Sequence, residues 1–372
     1  MRAYLDYNAT APLRSEARDA MLAALELCGN PSSIHAEGRA ARALVENARR
    51  EVAALAGAAA RDVVFTASGT EAANLALAPG TSGLQRLIVG ASEHVCVLAG
   101  HRFAQAETAP VGPDGRIDLD ALGRLLEAGG PALVALQGAN NETGVLQPVA
   151  EAAALVHAHG GRLISDAAQV AGRLPLGGTG ADALILSAHK FGGPKGVGAL
   201  ILLREDLTVV PLARGGGQER GRRAGTENVA AISGFGAAAK AAADGIAAEG
   251  ARTASLIDDC ARALAEIAPD AVLFGDSAAR LPNTLAFAIP GVAAATLLMR
   301  LDLEGVAVSS GSACSSGKVG PSHVLAAMGV APDLGAGAIR VSLGWASRAQ
   351  DVEAFASALR GSLAALRRRQ SS

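Results

Sequence analysis

Aromatic residues are scarce in this chain of 372: seven Phe, two Tyr and one Trp. Single-strand nucleic-acid binders need stacking platforms, so this poverty argues against one. Charge agrees. Thirty-three Lys and Arg stand against 35 Asp and Glu, a formal net charge of −2, and neither nucleic acid nor an anionic membrane surface is an expected partner. No run approaches the ~20 apolar residues of a membrane span. The opening MRAYLDYNAT also lacks the basic-then-apolar order of a secretory leader, so a reduced, cytoplasmic setting is the expectation. Cysteine is confined to Cys28, Cys96, Cys260 and Cys314, with no CxxC or Cys/His ligand spacing, which argues against a zinc module or a disulfide scaffold. Lysine is equally rare: Lys190, Lys195, Lys240 and Lys318 are the only four, so 29 of the 33 basic residues are arginine.

Half of the residues are hydrophobic and 45 are glycine. A chain of this length and apolarity is expected to form two packed domains with a substantial core. From Glu16 to about Gly57 the pattern is helical, with Ala41, Leu44, Ala48, Val52 and Leu55 at spacings of three and four. Short apolar runs then recur at Asp62 to Ala67, Arg86 to Gly90, Ala132 to Leu136, Arg162 to Ser165 and Asp182 to Ser187. Helical stretches separate them, such as Leu119 to Ala128 and Val149 to His159. Buried strands alternating with amphipathic helices predict a mostly parallel sheet covered on both faces. Ligands bind such sheets at the carboxyl ends of the strands. A Gly-rich stretch, Arg214 to Asn228, breaks the alternation, and an alanine-rich helix runs on towards Gly250. Strands are expected at Ala271 to Phe274 and Thr284 to Ile289, with helices near Ala293 to Leu303 and Asp351 to Arg369. The domain change is placed near residue 245.

Six sites could carry chemistry. Lys190, in SAHKFGGPKG, stands where a buried strand meets a Gly-rich loop. It is either a solvated loop lysine or a partly desolvated amine that is nucleophilic towards an aldehyde. Ser187 and His189 beside it can hold a phosphate. Asp166 ends the strand RLISD and is either a helix N-cap or a buried carboxylate awaiting a cation. SGTEAANLAL, from Ser68, offers the Gly69 and Thr70 amides and the Thr70 hydroxyl at a helix N-terminus, a phosphate site or an ordinary capping arrangement. His94, in SEHVC beyond another strand end, could stack on a planar group, move protons or be structural. Cys314, in SSGSACSSGKVG, has almost nothing around it to pack, and its composition predicts an exposed loop. Arg340, in AIRVSLG, is a lone cation on an apolar strand, suited to a bidentate grip on a substrate carboxylate.

With SEH, NNETGV, SDAAQ, SAHK, GGGQERGRRAGT and SSGSACSSG along it, the chain resembles the cysteine desulfurases of the NifS/IscS type, within the class V aminotransferases. The resemblance runs from YLDYNAT at residue 4 to Gly344. It implies an α/β architecture, the fold type I of pyridoxal phosphate enzymes. Residues 16–245 would form a large cofactor-binding domain around a seven-stranded sheet. Residues 1–15 and 246–372 would form a smaller α/β domain carrying the catalytic cysteine loop.

Position by position, the resemblance implies that Lys190 binds pyridoxal 5'-phosphate covalently, that His94 stacks on its ring and that Asp166 pairs with the ring nitrogen. Gln169 would bond the phenolic oxygen. Gly69, Thr70, Ser187 and His189 would take the phosphate, with Thr226 entering from the other subunit of a homodimer. Asn141 and Arg340 match the residues that hold the substrate carboxylate, and Cys314 matches the nucleophile that receives sulfur. His94 could assist that thiol by accepting a proton. The implied reaction converts L-cysteine to L-alanine and leaves a Cys314 persulfide. It would supply a sulfur-acceptor protein, such as an iron–sulfur scaffold or a thiolation relay. No resident metal is expected, Cys314 serving at most as a transient iron–sulfur ligand. Trp345, Ile164, Tyr7 and Ala11 depart from the pattern of many relatives without removing a reacting group. The nearest rival is another class V enzyme, such as a selenocysteine lyase or an aminotransferase, and the thiol at Cys314 speaks against the latter. A non-enzymatic sulfur carrier is the rival from a different class, but GGGQERG lacks the order of a phosphate loop.

Overall fold

The structure, a computed structural model, describes residues 2–310 and 322–370. The chain opens on a two-residue strand, β1 (Ala3–Tyr4), and continues into helices Ser15–Leu25 and Ala36–Ala56. The helical pattern expected over Glu16 to Gly57 is thus two helices. The interruption is the Gly29-Asn30-Pro31 turn, where a Cβ at Gly29 would stand 2.3 Å from the Glu37 carbonyl oxygen. The second helix starts where the His35 ring accepts from the Gly38 amide and stops at left-handed Gly57, φ 66°. Its buried stripe is Ala41, Val45, Ala48, Val52 and Leu55.

Seven strands follow: β2 (Val63–Thr66), β3 (Leu87–Gly90), β4 (Glu107–Ala109), β5 (Leu133–Ala135), β6 (Arg162–Asp166), β7 (Ala183–Ser187) and β8 (Gly198–Leu202). They form one sheet in the order β2-β8-β7-β6-β5-β3-β4. The pairs from β7 through β4 are parallel, and β8 runs antiparallel to both β7 and β2. β2, β3, β5, β7 and β8 are buried at every residue, because helices cover both faces. The continuous Val, Ile and Leu runs seen in the sequence have that cause. Since β8 reverses twice, β2 points the same way as β3, β5, β6 and β7, and all five present their carboxyl ends on one edge of the sheet.

Beyond this sheet the helix Val229–Ile267 extends for 39 residues, about 58 Å at ~1.5 Å per residue. Its first part, with Ala231, Phe235, Ala238 and Ala242, packs into the core that surrounds the large sheet. Its last part, with Leu256, Ile257, Cys260 and Leu264, packs into a second core. Close packing of the first part needs Gly236, where a Cβ would lie 2.5 Å from Ala48 Cα. The second core lies under a four-stranded antiparallel sheet made of β9 (Val272–Leu273), β10 (Thr284–Ala288), β12 (Ser309–Ser310) and β13 (Ile339–Ser342), in the order β12-β13-β10-β9. Helices Ala294–Leu303 and Ala349–Gln370 flank it. β11 (Val306–Ala307) pairs in parallel with β1, and Ala3 and Leu5 are buried in this second core, so both ends of the chain belong to it. No helix among the described residues is long and apolar enough to cross a membrane.

Candidate functional site

The shared strand edge carries a cavity of about 280 Å³. After β2, Ser68 caps the helix Gly69–Ala76: its Oγ accepts from the Glu71 amide at 3.1 Å, while the Glu71 carboxylate accepts from the Ala67 amide. Capping and phosphate binding are therefore compatible here. The cap occupies a later amide of the first turn and leaves those of Gly69 and Thr70 at the cavity wall. Gly69 stands so close to the end of β7 that a Cβ on it would reach within 3.2 Å of Ser187 Cβ. Ser187, His189 and Lys190 follow from that strand, and all line the same cavity.

Asp166, the last residue of β6, faces the cavity floor and accepts from the Ala168 amide at 2.9 Å. Burial raises its pKa, and the Ala168 amide, His94 and Lys190 pull it back down. A desolvated carboxylate in that balance favours one more positive partner. Glu93 nearby is fully buried, with one oxygen on the Gln137 amide at 2.7 Å and the other without a partner among the described residues. Burial raises its pKa well above the usual range, and Asp166 adds to the effect. His94 caps the helix Val95–Leu98, its Nδ1 accepting from the Cys96 amide at 3.1 Å. The ring is neutral, since burial lowers its pKa, and with Nδ1 occupied its proton sits on Nε2. Such a ring can stack and donate, but it offers no lone pair for accepting a proton from a thiol.

His189 is neutral as well. Burial, and then Lys190 and Lys195, bring its pKa down to about 4, and the Thr10 hydroxyl holds its Nδ1 at 2.8 Å. Lys190 Nζ donates to the carbonyls of Asn8 at 2.8 Å and Ala9 at 3.1 Å. Gln169 is oriented from two sides. Arg173 donates to its Oε1 at 3.1 Å, and its Nε2 donates to the Asn8 carbonyl at 3.0 Å. A guanidinium only donates and a carbonyl only accepts, so the amide can face one way.

Asn141 lines the cavity and its carbonyl accepts from Arg340 at 2.9 Å. Arg340, on β13, is almost fully buried and bonded to Asp6 at 2.6 Å, with its Nε unpartnered among the described residues. Arg340 thus adjoins Asn141 rather than lining the cavity itself. Thr226 is exposed and lines a different depression with Phe65, Gly196 and Glu219, outside this cavity. Cys314 lies outside the described residues. Of the departures noted above, Trp345 donates to the Pro12 carbonyl and sits under Arg14, while Ile164, Tyr7 and Ala11 are buried.

Sequence reasoning missed Gln137, Cys96 and the N-terminal Asn8. Gln137 lies two residues after β5, so the strand-end rule could have found it. Cys96 lines the cavity two residues after His94, but burial raises its pKa and keeps it a thiol. Together the site offers an amine, a half-buried carboxylate that favours a further cation, a neutral ring and open amides at a helix N-terminus. These residues fit a phosphate-bearing aromatic cofactor with a positively charged ring nitrogen and an aldehyde.

The family described as Aminotransferase class-V matches residues 3–355. An IscS-like cysteine desulfurase of Mycobacterium tuberculosis is 40% identical over 98% of this chain and 97% of its own length. A cysteine desulfurase of Cereibacter sphaeroides is 44% identical over 94% and 92%. Among solved structures, a NifS-like protein from Rickettsia africae superposes with a TM-score of 0.90 at 33% identity, covering 98% of this chain and 99% of that one.

Proposed function

The chain belongs to the class V aminotransferase family, and from that premise we propose that it is a cysteine desulfurase, which takes sulfur from L-cysteine, releases L-alanine and retains the sulfur as a persulfide on Cys314. The observation that carries this is the convergence of Lys190, Asp166, His94 and the Gly69 and Thr70 amides on one cavity. Relatives named as cysteine desulfurases at 40–44% identity over nearly the whole chain support it.

The cofactor would be pyridoxal 5'-phosphate, which when bound supplies an electron sink for the substrate's Cα. The Gly69 and Thr70 amides, Ser187 and His189 would hold its phosphate, with Thr226 of a second subunit. Asp166 would keep the ring nitrogen protonated, because a buried carboxylate gains most from a cation beside it. His94 would cover the ring and could donate from Nε2, and the second hydrogen of Gln169 Nε2 would remain for the phenolic oxygen.

Lys190 Nζ would take the Cα proton and return it. Asn141 would bind the substrate carboxylate from the cavity wall, and Arg340 would reach it from beside Asn141 through the Nε that has no partner among the described residues. The Cys314 sulfur attacks the substrate sulfur, the C–S bond breaks, and the Cβ left behind is protonated to give alanine. Cysteine plus enzyme thiol thereby becomes alanine plus enzyme persulfide, with no external oxidant. The acceptor of that sulfur would be a protein, such as an iron–sulfur scaffold or a thiolation relay. A homodimer is supported by the place of Thr226 outside its own chain's cavity.

Mass spectrometry after L-cysteine is added tests the assignment: the peptide containing Cys314 should gain one sulfur, and Cys314→Ser should stop sulfide release while keeping the yellow cofactor absorbance. Lys190→Ala should lose that absorbance. A wild-type chain that stays colourless after reconstitution with pyridoxal phosphate would sink the proposal.

A further inference from the structure

Asn8 is buried where the first ten residues of the chain pass between the cavity and the second sheet. Its backbone carbonyl accepts from Lys190 Nζ at 2.8 Å and from Gln169 Nε2 at 3.0 Å, one donor for each lone pair. We propose that Asn8 is a positioning residue of the site, whose carbonyl, with that of Ala9, holds the Lys190 amine in reach of the substrate while its side chain fixes that carbonyl in place. The inference rests on Lys190 being the cofactor-binding lysine.

Asn8 has little freedom to move. Its Nδ2 donates to the Asn141 carbonyl at 3.2 Å and to Thr284 Oγ1 at 2.9 Å, using both hydrogens. Its Oδ1 accepts from Asn283 Nδ2 at 3.1 Å, and its amide donates to Ser342 Oγ at 3.0 Å. Three residues on, the Ala11 amide bonds the His189 carbonyl at 2.8 Å, one residue before Lys190. One side chain thus joins Asn141, on the substrate side, to the carbonyl that receives the lysine.

The chemistry of that contact suits an amine that must leave and return. A carbonyl accepts from an ammonium or a neutral amine alike, so it can hold Lys190 before and after a proton moves. A carboxylate in the same place would bind the ammonium as a buried ion pair and resist its return. The two carbonyls also stand within the reach of a single lysine chain, which leaves the amine at the cavity wall rather than in solvent.

The test uses the full-length chain freed of cofactor, a limiting dose of an amine-acylating reagent and peptide mass spectrometry. Lys195 and Lys240 are exposed and serve as internal references. Asn8→Ala should raise the acylation rate of Lys190 about fivefold, the factor that one lost hydrogen bond of ordinary strength represents. The two references should not change. Replacing Ala9 by lactic acid turns the Asn8 carbonyl into a weaker ester acceptor with every polar side chain intact, and it should raise Lys190 labelling in the same sense. This second chain decides the matter if Asn8→Ala fails to fold. Unchanged Lys190 labelling, or a rise shared by all three lysines, overturns the proposal. Should Lys190→Ala keep the yellow absorbance, the functional assignment fails instead, and the labelling result stands apart from it.

Discussion

Removing the Glu219 carboxylate should destabilise the chain far more than an ordinary surface change. Glu219 is buried in the Gly-rich stretch and accepts from Arg49 at 2.7 and 2.8 Å and from the Phe65 amide at 2.9 Å. Arg49 is also buried, with a further bond to the Val63 carbonyl and its guanidinium over the Phe65 ring. Glu219→Ala leaves the buried Arg49 with only the Glu46 carboxylate, 3.1 Å from its Nε, and the Phe65 amide without its acceptor. Breaking a buried pair by one partner costs about 3–5 kcal/mol. At ~2–4 °C per kcal/mol for a large domain, the melting temperature should fall by about 6–20 °C. Part of this loss belongs to the Phe65 amide, about 1–3 kcal/mol, which no change at Arg49 can recover.

A double-variant cycle separates the two. Arg49→Met alone should cost as much as Glu219→Ala, and the combined variant should be more stable than the sum of the two losses by about 2 kcal/mol or more. Glu219 and Arg220 have left-handed backbones, φ 46° and 58°, which cost a non-glycine residue about 1–2 kcal/mol each. The ion pair is what holds this strained turn against β2. Urea melts of the four chains provide the measurement. Additive losses would refute the account, since they would mean that the pair contributes nothing as a pair.

Three further outcomes are expected. Asp166→Asn should weaken cofactor retention by about 2–5 kcal/mol, the cost of truncating one side of a buried charge pair, and equilibrium dialysis of pyridoxal phosphate checks it. Arg340→Lys should raise KM for cysteine by the equivalent of about 1.5–3 kcal/mol while leaving the cofactor absorbance intact, as steady-state kinetics would show. Glu142 is buried against Ser322 at 2.5 Å, and burial raises its pKa to about 7. Its folded pKa lies above the unfolded one, so its stabilising contribution is complete below about pH 4.5 and is lost as pH rises through 7. Glu142→Gln should therefore gain on the wild type by at most about 3 kcal/mol between pH 4.5 and 8, and thermal melts that stay parallel over that range would contradict the assignment.

The sheet was legible because β2, β3, β5 and β7 are short, mainly apolar runs and β6 has an apolar centre, all bounded by turns, and their carboxyl ends marked Asp166, His94 and Lys190 in advance. β8 and β4 were not. β8 is apolar throughout, a pattern whose period cannot separate strand from buried helix, and β4 is a three-residue edge. The helix Val229–Ile267 passes from one core to the other without a break, so no turn signal marks the crossing. Asn8 was invisible for a different reason. Its decisive atom is a backbone carbonyl, which every residue has, and only the fold says what that carbonyl meets. The neutral tautomer of His94 likewise depends on an amide two residues away, which no motif reveals.

The pairing of Ala3 and Tyr4 with Val306 and Ala307 has a consequence for how the molecule is made. Ala3 and Tyr4 cannot reach their places until Val306 and Ala307 have been made, and Asp6 and Asn8 wait longer still, for Arg340 and Ser342. The large sheet, whose last strand ends at Leu202, can close long before that. The cavity wall that holds Lys190 is therefore completed after that sheet, by a segment made before it. A bulky fusion placed ahead of Ala3 should delay that closure while sparing the sheet, and a catalytically complete site becomes a report that the second sheet has been made.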